Sequence, residues 1–394
     1  MDNSVIEIKQ AVLAEMDLSR DIDDDTLKEL IAVETAKYAQ GKYLSVEIRV
    51  ELGRRVFDAM RKLDAIQKLV DDPEVSEIMV NGPHDIFYEK AGKIHRFSGQ
   101  FSSEERLQDL CQQIVARHNR MINLSSPIVD TRLEDGSRVN MVLSPISIDG
   151  SALTIRKFPK HPLDMDQLLE KGALTDEAAT FLKKLVEHRY SMIISGGTGS
   201  GKTTVLNALS QYIPRDERII TIEDSAELQL LGIENLVRLE TRNSNAEGVE
   251  AISIRDLIKT SLRMRPDRII VGECRGAEAF DMLQAMNTGH EGSLSTIHGN
   301  SGRDVLSRLE MMVLMGMDLP LSAVRKQIVS GIDILVHLGR LADGSRKILE
   351  ILEVAGLEQG EIVIHPLFET QGKQLVHCGT LCKKKGGGSE LQDV

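Results

Sequence analysis

Gly196-Gly197-Thr198-Gly199-Ser200-Gly201-Lys202-Thr203-Thr204 follows directly on the apolar run Met192-Ile193-Ile194-Ser195 and opens a helical pattern over 202–213. This is the spacing G-x-x-x-x-G-K-[ST] of a phosphate-binding loop set between a buried strand and a helix. Glycines let the backbone wrap around phosphate oxygens, and successive N–H groups at a helix N-terminus point at the anion. Lys202 is placed to reach the β- and γ-phosphates of a nucleotide, and the Thr203 hydroxyl to sit on Mg2+. A glycine-rich turn that binds nothing needs neither the strand before it nor the helix after it. Gly197, Thr198, Gly199, Ser200, Gly201, Lys202, Thr203 and Thr204 are therefore the expected nucleotide site, with ATP and Mg2+ as the expected ligands.

Downstream of the loop, strand patterns at 218–223, 236–239, 268–271 and 293–297 alternate with helical ones. Such alternation predicts an α/β domain with a mostly parallel sheet covered on both faces. Ligands bind at the carboxyl ends of such strands, where the loop at Gly196 falls. A helix at 320–330 and strands at 332–338, 346–354 and 361–365 are expected to close the domain, which is read as 164–370. The lysines and glycines of 383–388 predict a disordered tail over 371–394.

Two of the buried strands end in carboxylates: Ile219-Ile220-Thr221-Ile222-Glu223-Asp224 and Arg268-Ile269-Ile270-Val271-Gly272-Glu273, the second followed by Cys274-Arg275-Gly276. Hydrolysis of a triphosphate needs a group that polarises an in-line water and a group that holds Mg2+. Glu273 suits the first task. Glu223 and Asp224 are candidates for the outer ligands of the metal or for sharing the water. Further on, His298 stands at the end of another strand and His290 at the start of the loop before it. Either is able to sense the γ-phosphate or position water, and His298 repeats the strand-end placement of Glu273.

Upstream, residues 1–70 are acidic and helical in pattern, with 21–26 read as a helix start rather than a metal site. Strands at 76–81, 85–90, 93–97 and 152–158, a helix at 103–119 and a hairpin around Glu134-Asp135-Gly136-Ser137 predict a small α+β domain over 71–156. Pro159 and Pro162 mark a hinge at 157–163. Arg132 and Arg138 flank the hairpin and Arg156 precedes the hinge, while Arg242, Arg263, Arg265 and Arg275 belong to the second domain. Guanidinium groups stabilise charge that develops on a transferring phosphoryl group. Arg138 and Arg156 are the expected clamp, because closure about the hinge would carry them over the nucleotide.

The whole-chain balance narrows the class. A net charge of −12, no Trp and 3% aromatic residues in 394 residues disfavour a general nucleic-acid binder. No apolar run reaches the roughly 18 residues that span a bilayer, and the N-terminus lacks the pattern of a secretory signal. A cytoplasmic protein with at most peripheral membrane contact is expected. Four cysteines make no disulfide framework at this length.

Taken in order, the loop at 196–204, Ile-Glu-Asp-Ser-Ala-Glu-Leu from Ile222, Leu-Arg-Met-Arg-Pro-Asp-Arg-Ile-Ile-Val-Gly-Glu-Cys-Arg-Gly from Leu262 and Asn-Thr-Gly-His-Glu-Gly-Ser-Leu-Ser-Thr-Ile-His from Asn287 resemble the type II/type IV secretion ATPase superfamily. The stretches 281–290 and 339–347 resemble its CpaF branch, the motors of tight-adherence (Flp-type) pili. The resemblance covers roughly residues 75 to 355. It implies a RecA-like P-loop NTPase domain preceded by a smaller α+β, PAS-like domain and a helical extension. It also implies ATPase activity, with Glu273 the catalytic glutamate, Glu223-Asp224 an acidic box, His298 closing a histidine box, and Arg138 and Arg156 contributed by the N-terminal domain. The implied assembly is a homo-oligomer, a hexameric ring, on the cytoplasmic face of the inner membrane against a platform protein of a pilus or secretion machine.

Type IV secretion, conjugation and pilus retraction are alternative uses of the same engine. A nucleotide-regulated scaffold with little turnover is the non-enzymatic alternative, against which Lys202, Glu273 and His298 argue. Relatives often carry a four-cysteine zinc module, and that spacing is missing here. Cys378 and Cys382 with His365 and His377 are loosely spaced, and the sequence favours no metal there.

Overall fold

The second and third helices of the chain begin at side chains, Asp23 and Ser45, that hold their free N–H groups. The computed structural model describes residues 2–16, 22–117, 120–158, 162–242, 250–341, 343–372 and 374–385, and divides into two units, Met1–Lys160 and His161–Val394. In the first unit, α1 (Asp2–Glu15), α2 (Asp24–Ala39) and α3 (Val46–Arg61) form a bundle around Ile8, Val12, Leu27, Ile31, Leu52 and Val56. Asp23 accepts the N–H groups of Asp25 and Thr26 at 3.0 and 2.9 Å, so the acidic stretch starts a helix. Asp21 lies outside the described residues.

A 3-10 turn (Asp64–Ile66) runs into α4 (Gln67–Asp71) and then into a six-stranded sheet. The strands are β1 (Val75–Asn81), β2 (Ile86–Lys90), β3 (Lys93–Arg96), β4 (Ile128–Arg132), β5 (Arg138–Val142) and β6 (Ala152–Arg156), in the antiparallel order β3-β2-β1-β6-β5-β4. Helix α5 (Glu104–Ala116) covers one face through Leu107, Leu110 and Ile114, which meet Ile78, Val139, Met141 and Ile155. Lys157, expected in the hinge, is built into this unit. Its backbone N–H bonds Ser76 at 2.9 Å, and its ammonium caps α4 at the carbonyls of Val70 (2.6 Å) and Asp72 (2.5 Å). Residues 159–161 of the expected hinge lie outside the described residues.

The second unit follows the alternation read from the sequence. Its elements are α6 (Met165–Glu170), α7 (Asp176–Glu187), β7 (Met192–Gly196), α8 (Lys202–Ser210), β8 (Ile219–Glu223), β9 (Leu236–Glu240), α9 (Ile254–Ser261), β10 (Arg268–Cys274), α10 (Glu278–Asn287), β11 (Leu294–His298), α11 (Gly302–Gly316), α12 (Leu321–Gly331), β12 (Ile334–Arg340), β13 (Arg346–Glu358), β14 (Glu361–Gln371) and β15 (Gln374–His377). The nine-stranded sheet runs β15-β14-β13-β12-β7-β11-β10-β8-β9. It is parallel from β12 to β9, and β13, β14 and β15 add to it antiparallel. Helices α6, α7 and α8 cover one face and α9 to α12 the other, with separate apolar cores. Because β7, β8, β10 and β11 are parallel neighbours, their carboxyl ends lie along one edge.

The tail expected to be disordered from 371 departs from that reading. β15 pairs with β14, and residues 378–385 lie back on the sheet as a strap. The cause is electrostatic. Asp333 is 2% exposed and receives Lys385 Nζ at 2.7 Å and Lys383 Nζ at 3.3 Å, while Glu353, 0% exposed, accepts the backbone N–H groups of Cys382 and Lys383. Residues 386–394 lie outside the described residues.

A second buried charge fixes the base of the parallel sheet. Arg268, 0% exposed, forks onto Glu217 at 2.5 and 3.0 Å and also donates to the carbonyls of Val186 and Gly292. Removing one member leaves the other desolvated and uncompensated, which costs about 3–5 kcal/mol. Glu217→Ala is therefore expected to lower unfolding free energy in urea by that order, and Glu217→Gln by less. A Glu217→Ala chain as stable as wild type would show that Arg268 draws nothing from the pair.

Candidate active site

The loop after β7 has the backbone its glycines imply. Gly196, Gly199 and Gly201 have φ of 153°, 68° and 97°, and Gly201 is the N-cap of α8. A Cβ on Gly196 would lie 2.5 Å from both the Leu338 carbonyl and Ser200 Oγ, so the chain closes up there only without a side chain. Lys202 is buried at the start of α8. Its ammonium donates to the carbonyls of Gly196 and Gly197, both at 3.1 Å, and lies 3.4 Å from His298 Nδ1. Burial holds Lys202 below its ordinary range, with Glu273 pulling the other way. Ser200 Oγ is buried with no hydrogen-bond partner, an orphan donor inside the loop.

Glu273 reaches the same point from β10, whose pairing with β11 breaks register between Val271 and Cys274. A bulge of this kind re-aims side chains. Here it is held by Thr296, whose hydroxyl donates to the Gly272 carbonyl at 2.7 Å. Glu273 Oε1 lies 2.7 Å from His298 Nε2 yet outside hydrogen-bonding angles, and remains without a hydrogen-bond partner. Its Oε2 accepts from Arg275 Nε at 2.9 Å and Nη2 at 2.6 Å. Asp224, beyond the end of β8, has Oδ2 3.8 Å from Arg275 Nη1.

The chain Lys202–His298–Glu273–Arg275–Asp224 thus joins the ends of four parallel strands. With Lys202 donating to Nδ1, the neutral ring carries its proton on Nε2, facing Glu273. Burial keeps His298 below its ordinary range, against the pull of the Glu273 carboxylate, so the ring is neutral near pH 7. His290 is not brought in; its Nδ1 lies 3.2 Å from the Ala285 carbonyl near the end of α10.

The structure gives Glu223 a task other than the one expected. Its Oε2 accepts the N–H groups of Glu227 and Leu228 at 2.7 and 2.9 Å, holding the turn after β8. It lies against Gly272, where a Cβ would sit 2.8 Å from Glu223 Cγ. Burial pushes Glu223 up to about 7, despite those two N–H groups. Arg275, grouped with the other arginines on sequence grounds, is the residue that links the two acidic strand ends. The signal for it was its place two residues past Glu273.

In the first unit, Arg132, Arg138 and Arg156 are direct cross-strand neighbours on β4, β5 and β6, a row of like charges over one end of the sheet. Like charges placed opposite one another destabilise a sheet unless an anion offsets them. Arg138 has Asp130 at 3.9 Å, and Arg156 is exposed.

A profile of the family described as Type II/IV secretion system protein matches residues 59–378. The chain belongs to the type II/IV secretion system ATPase family. It is similar to the putative conjugal transfer protein Rv3659c of Mycobacterium tuberculosis, 33% identical over 302 residues, covering 75% of this chain and 84% of that one. The type IV secretion system protein PtlH of Bordetella pertussis is 33% identical over 314 residues, covering 72% of this chain and 91% of PtlH. Among solved structures, the ATPase DotB of Legionella pneumophila aligns over 77% of this chain and 80% of its own, with a TM-score of 0.53 at 23% identity. That likeness concerns the fold, a RecA-like ATPase unit preceded by an N-terminal domain. No helix among the described residues is long and apolar enough to cross a membrane.

The protonation of Glu223 has a measurable consequence. Between about pH 4.5 and 7 the folded chain keeps a proton that the unfolded chain has released, so this contribution to stability is full below that window and lost as pH rises through it. Glu223→Gln is expected to remove up to about 3 kcal/mol of the fall in unfolding free energy between pH 5 and pH 8. A difference between variant and wild type that is constant with pH would contradict the buried, raised carboxyl.

Proposed function

We propose that this chain is an ATP-hydrolysing motor that works as a hexameric ring on the cytoplasmic face of the inner membrane, driving a platform protein of a pilus or secretion machine. The observation that carries the reading is the convergence of Lys202, His298 and Glu273 beside the glycine loop. The ammonium of Lys202 rests on two carbonyls of its own loop, which phosphate oxygens replace when ATP binds. Glu273 Oε1 accepts from the attacking water, since this buried carboxylate oxygen beside Lys202 and His298 lacks a hydrogen-bond partner. His298 links the lysine that touches the γ-phosphate to the carboxylate that orients the water, so loss of the phosphate is felt at both.

The residues present fit a Mg2+ ion arriving with the triphosphate: the half-buried Thr203 hydroxyl and the half-exposed Asp224 are the groups that would hold it. When bound there, such an ion would supply neutralisation of the charge on the triphosphate. Arg138 and Arg156, cross-strand neighbours at one end of their sheet, supply the clamp on the transition state once the two units close. Closing and opening then become the work stroke.

Within the family, the stretches 281–290 and 339–347 favour the tight-adherence pilus branch. A second reading, a conjugal transfer or type IV secretion motor, is favoured by the names of the curated relatives. Loss of surface pili, with DNA transfer intact, in a strain lacking this chain separates the first from the second.

Glu273→Gln is expected to slow steady-state phosphate release about 10²-fold or more while nucleotide binding persists; equal rates would remove the motor reading. Arg138→Ala is expected to lower turnover with nucleotide affinity unchanged, because it acts on charge present only in the transition state. A loss of affinity without loss of kcat would place Arg138 in ground-state binding instead.

A further inference from the structure

Far along the sheet from the nucleotide loop, the strap at 378–385 brings together three residues that are scattered in sequence. Glu353 on β13 is the direct cross-strand partner of His365 on β14. Cys382 arrives over this pair because its backbone N–H is bound by Glu353, at 3.1 Å to Oε1 and 3.0 Å to Oε2. His365 Nδ1 lies 3.8 Å from Cys382 Sγ and 3.9 Å from Glu353 Oε2, and the three ligand atoms are all within 4.8 Å of one another.

A tetrahedral zinc with bonds of about 2.3 Å to sulfur and about 2.0–2.2 Å to nitrogen and oxygen has ligand-to-ligand edges of about 3.3–3.6 Å. The observed separations to His365 therefore need to close by only a few tenths of an ångström, and His365 and Cys382 are exposed side chains free to make that adjustment. The carboxylate is ready as well. Glu353 Oε1 carries the N–H groups of both Cys382 and Lys383, whereas Oε2, the atom facing His365, carries only that of Cys382 and keeps a lone pair. The backbone thus orients the carboxylate from behind, as outer partners do at metal sites.

We propose that Glu353, His365 and Cys382 form a binding site for a zinc-class divalent cation, with solvent in the fourth position, that pins the C-terminal strap to the β13–β14 hairpin. The donor set of one thiolate, one imidazole and one carboxylate selects this class over Mg2+ or Ca2+, which take oxygen ligands. The loose sequence spacing concealed it, since one of the four residues first considered, His377, is directed elsewhere. His377 faces Glu177 at 3.4 Å and the Gly379 carbonyl at 2.7 Å.

The test uses the full chain without nucleotide, freed of metal by a chelator under reducing conditions and titrated with Co2+. A thiolate-to-cobalt charge-transfer band that saturates at one equivalent and is displaced by Zn2+ is expected. It should disappear in Cys382→Ala and in His365→Ala, both exposed positions whose loss leaves the fold intact, and persist in Cys378→Ala. Absence of the band in wild type, or its survival in Cys382→Ala or His365→Ala, overturns the site. A band carried by Cys378 alone does so too. The phosphate loop has no thiol to give this absorption, so the outcome is independent of the ATPase reading.

Discussion

The parallel register of β7, β11, β10 and β8 is the constraint on which the rest depends. It makes four strands end on the same side, so that residues 202, 298, 273 and 224, separated by up to about a hundred positions, become neighbours without any long loop having to find its place. A cation, a neutral imidazole and a carboxylate then stand in one line beside an anion cradle. Burial pulls Lys202 down while Glu273 pulls it up, and at His298 burial likewise outweighs that same carboxylate.

The preparation of the site comes from backbone irregularity as much as from side chains. The break in β10 turns Glu273 toward the loop, and the missing side chain at Gly272 gives Glu223 room to hold the next turn. These are small departures from a regular sheet at the one edge where chemistry is required. The opposite edge is built with the same economy, since an antiparallel hairpin and a returning strap close the sheet where the parallel crossovers end.

Much of this was legible in the residues. The glycine loop, the two acid-ended strands and the strand ending in His298 each announce themselves by an apolar run followed by a polar group, and parallel strands make that pattern informative. Three things were not legible. The role of Glu223 depends on backbone N–H groups four and five residues on, which no pattern of side chains encodes. The importance of Arg275 depends on a bulge, which shifts register by one residue without a sequence mark of its own. The strap at 378–385 was concealed by composition, because lysines and glycines read as solvated chain unless the buried acids that receive them, Asp333 and Glu353, are known to lie within reach.

Those two acids also make the sheet's interior depend on a segment that follows its last strand. Asp333 immediately precedes β12 and Glu353 lies on β13, and although Ser191 N–H already donates to Asp333, both acids take further partners from the later strap. Without the strap, every strand of the sheet is present and yet two buried carboxylates lack some of their partners. The buried carboxylates of the second unit are therefore fully partnered only with the strap in place.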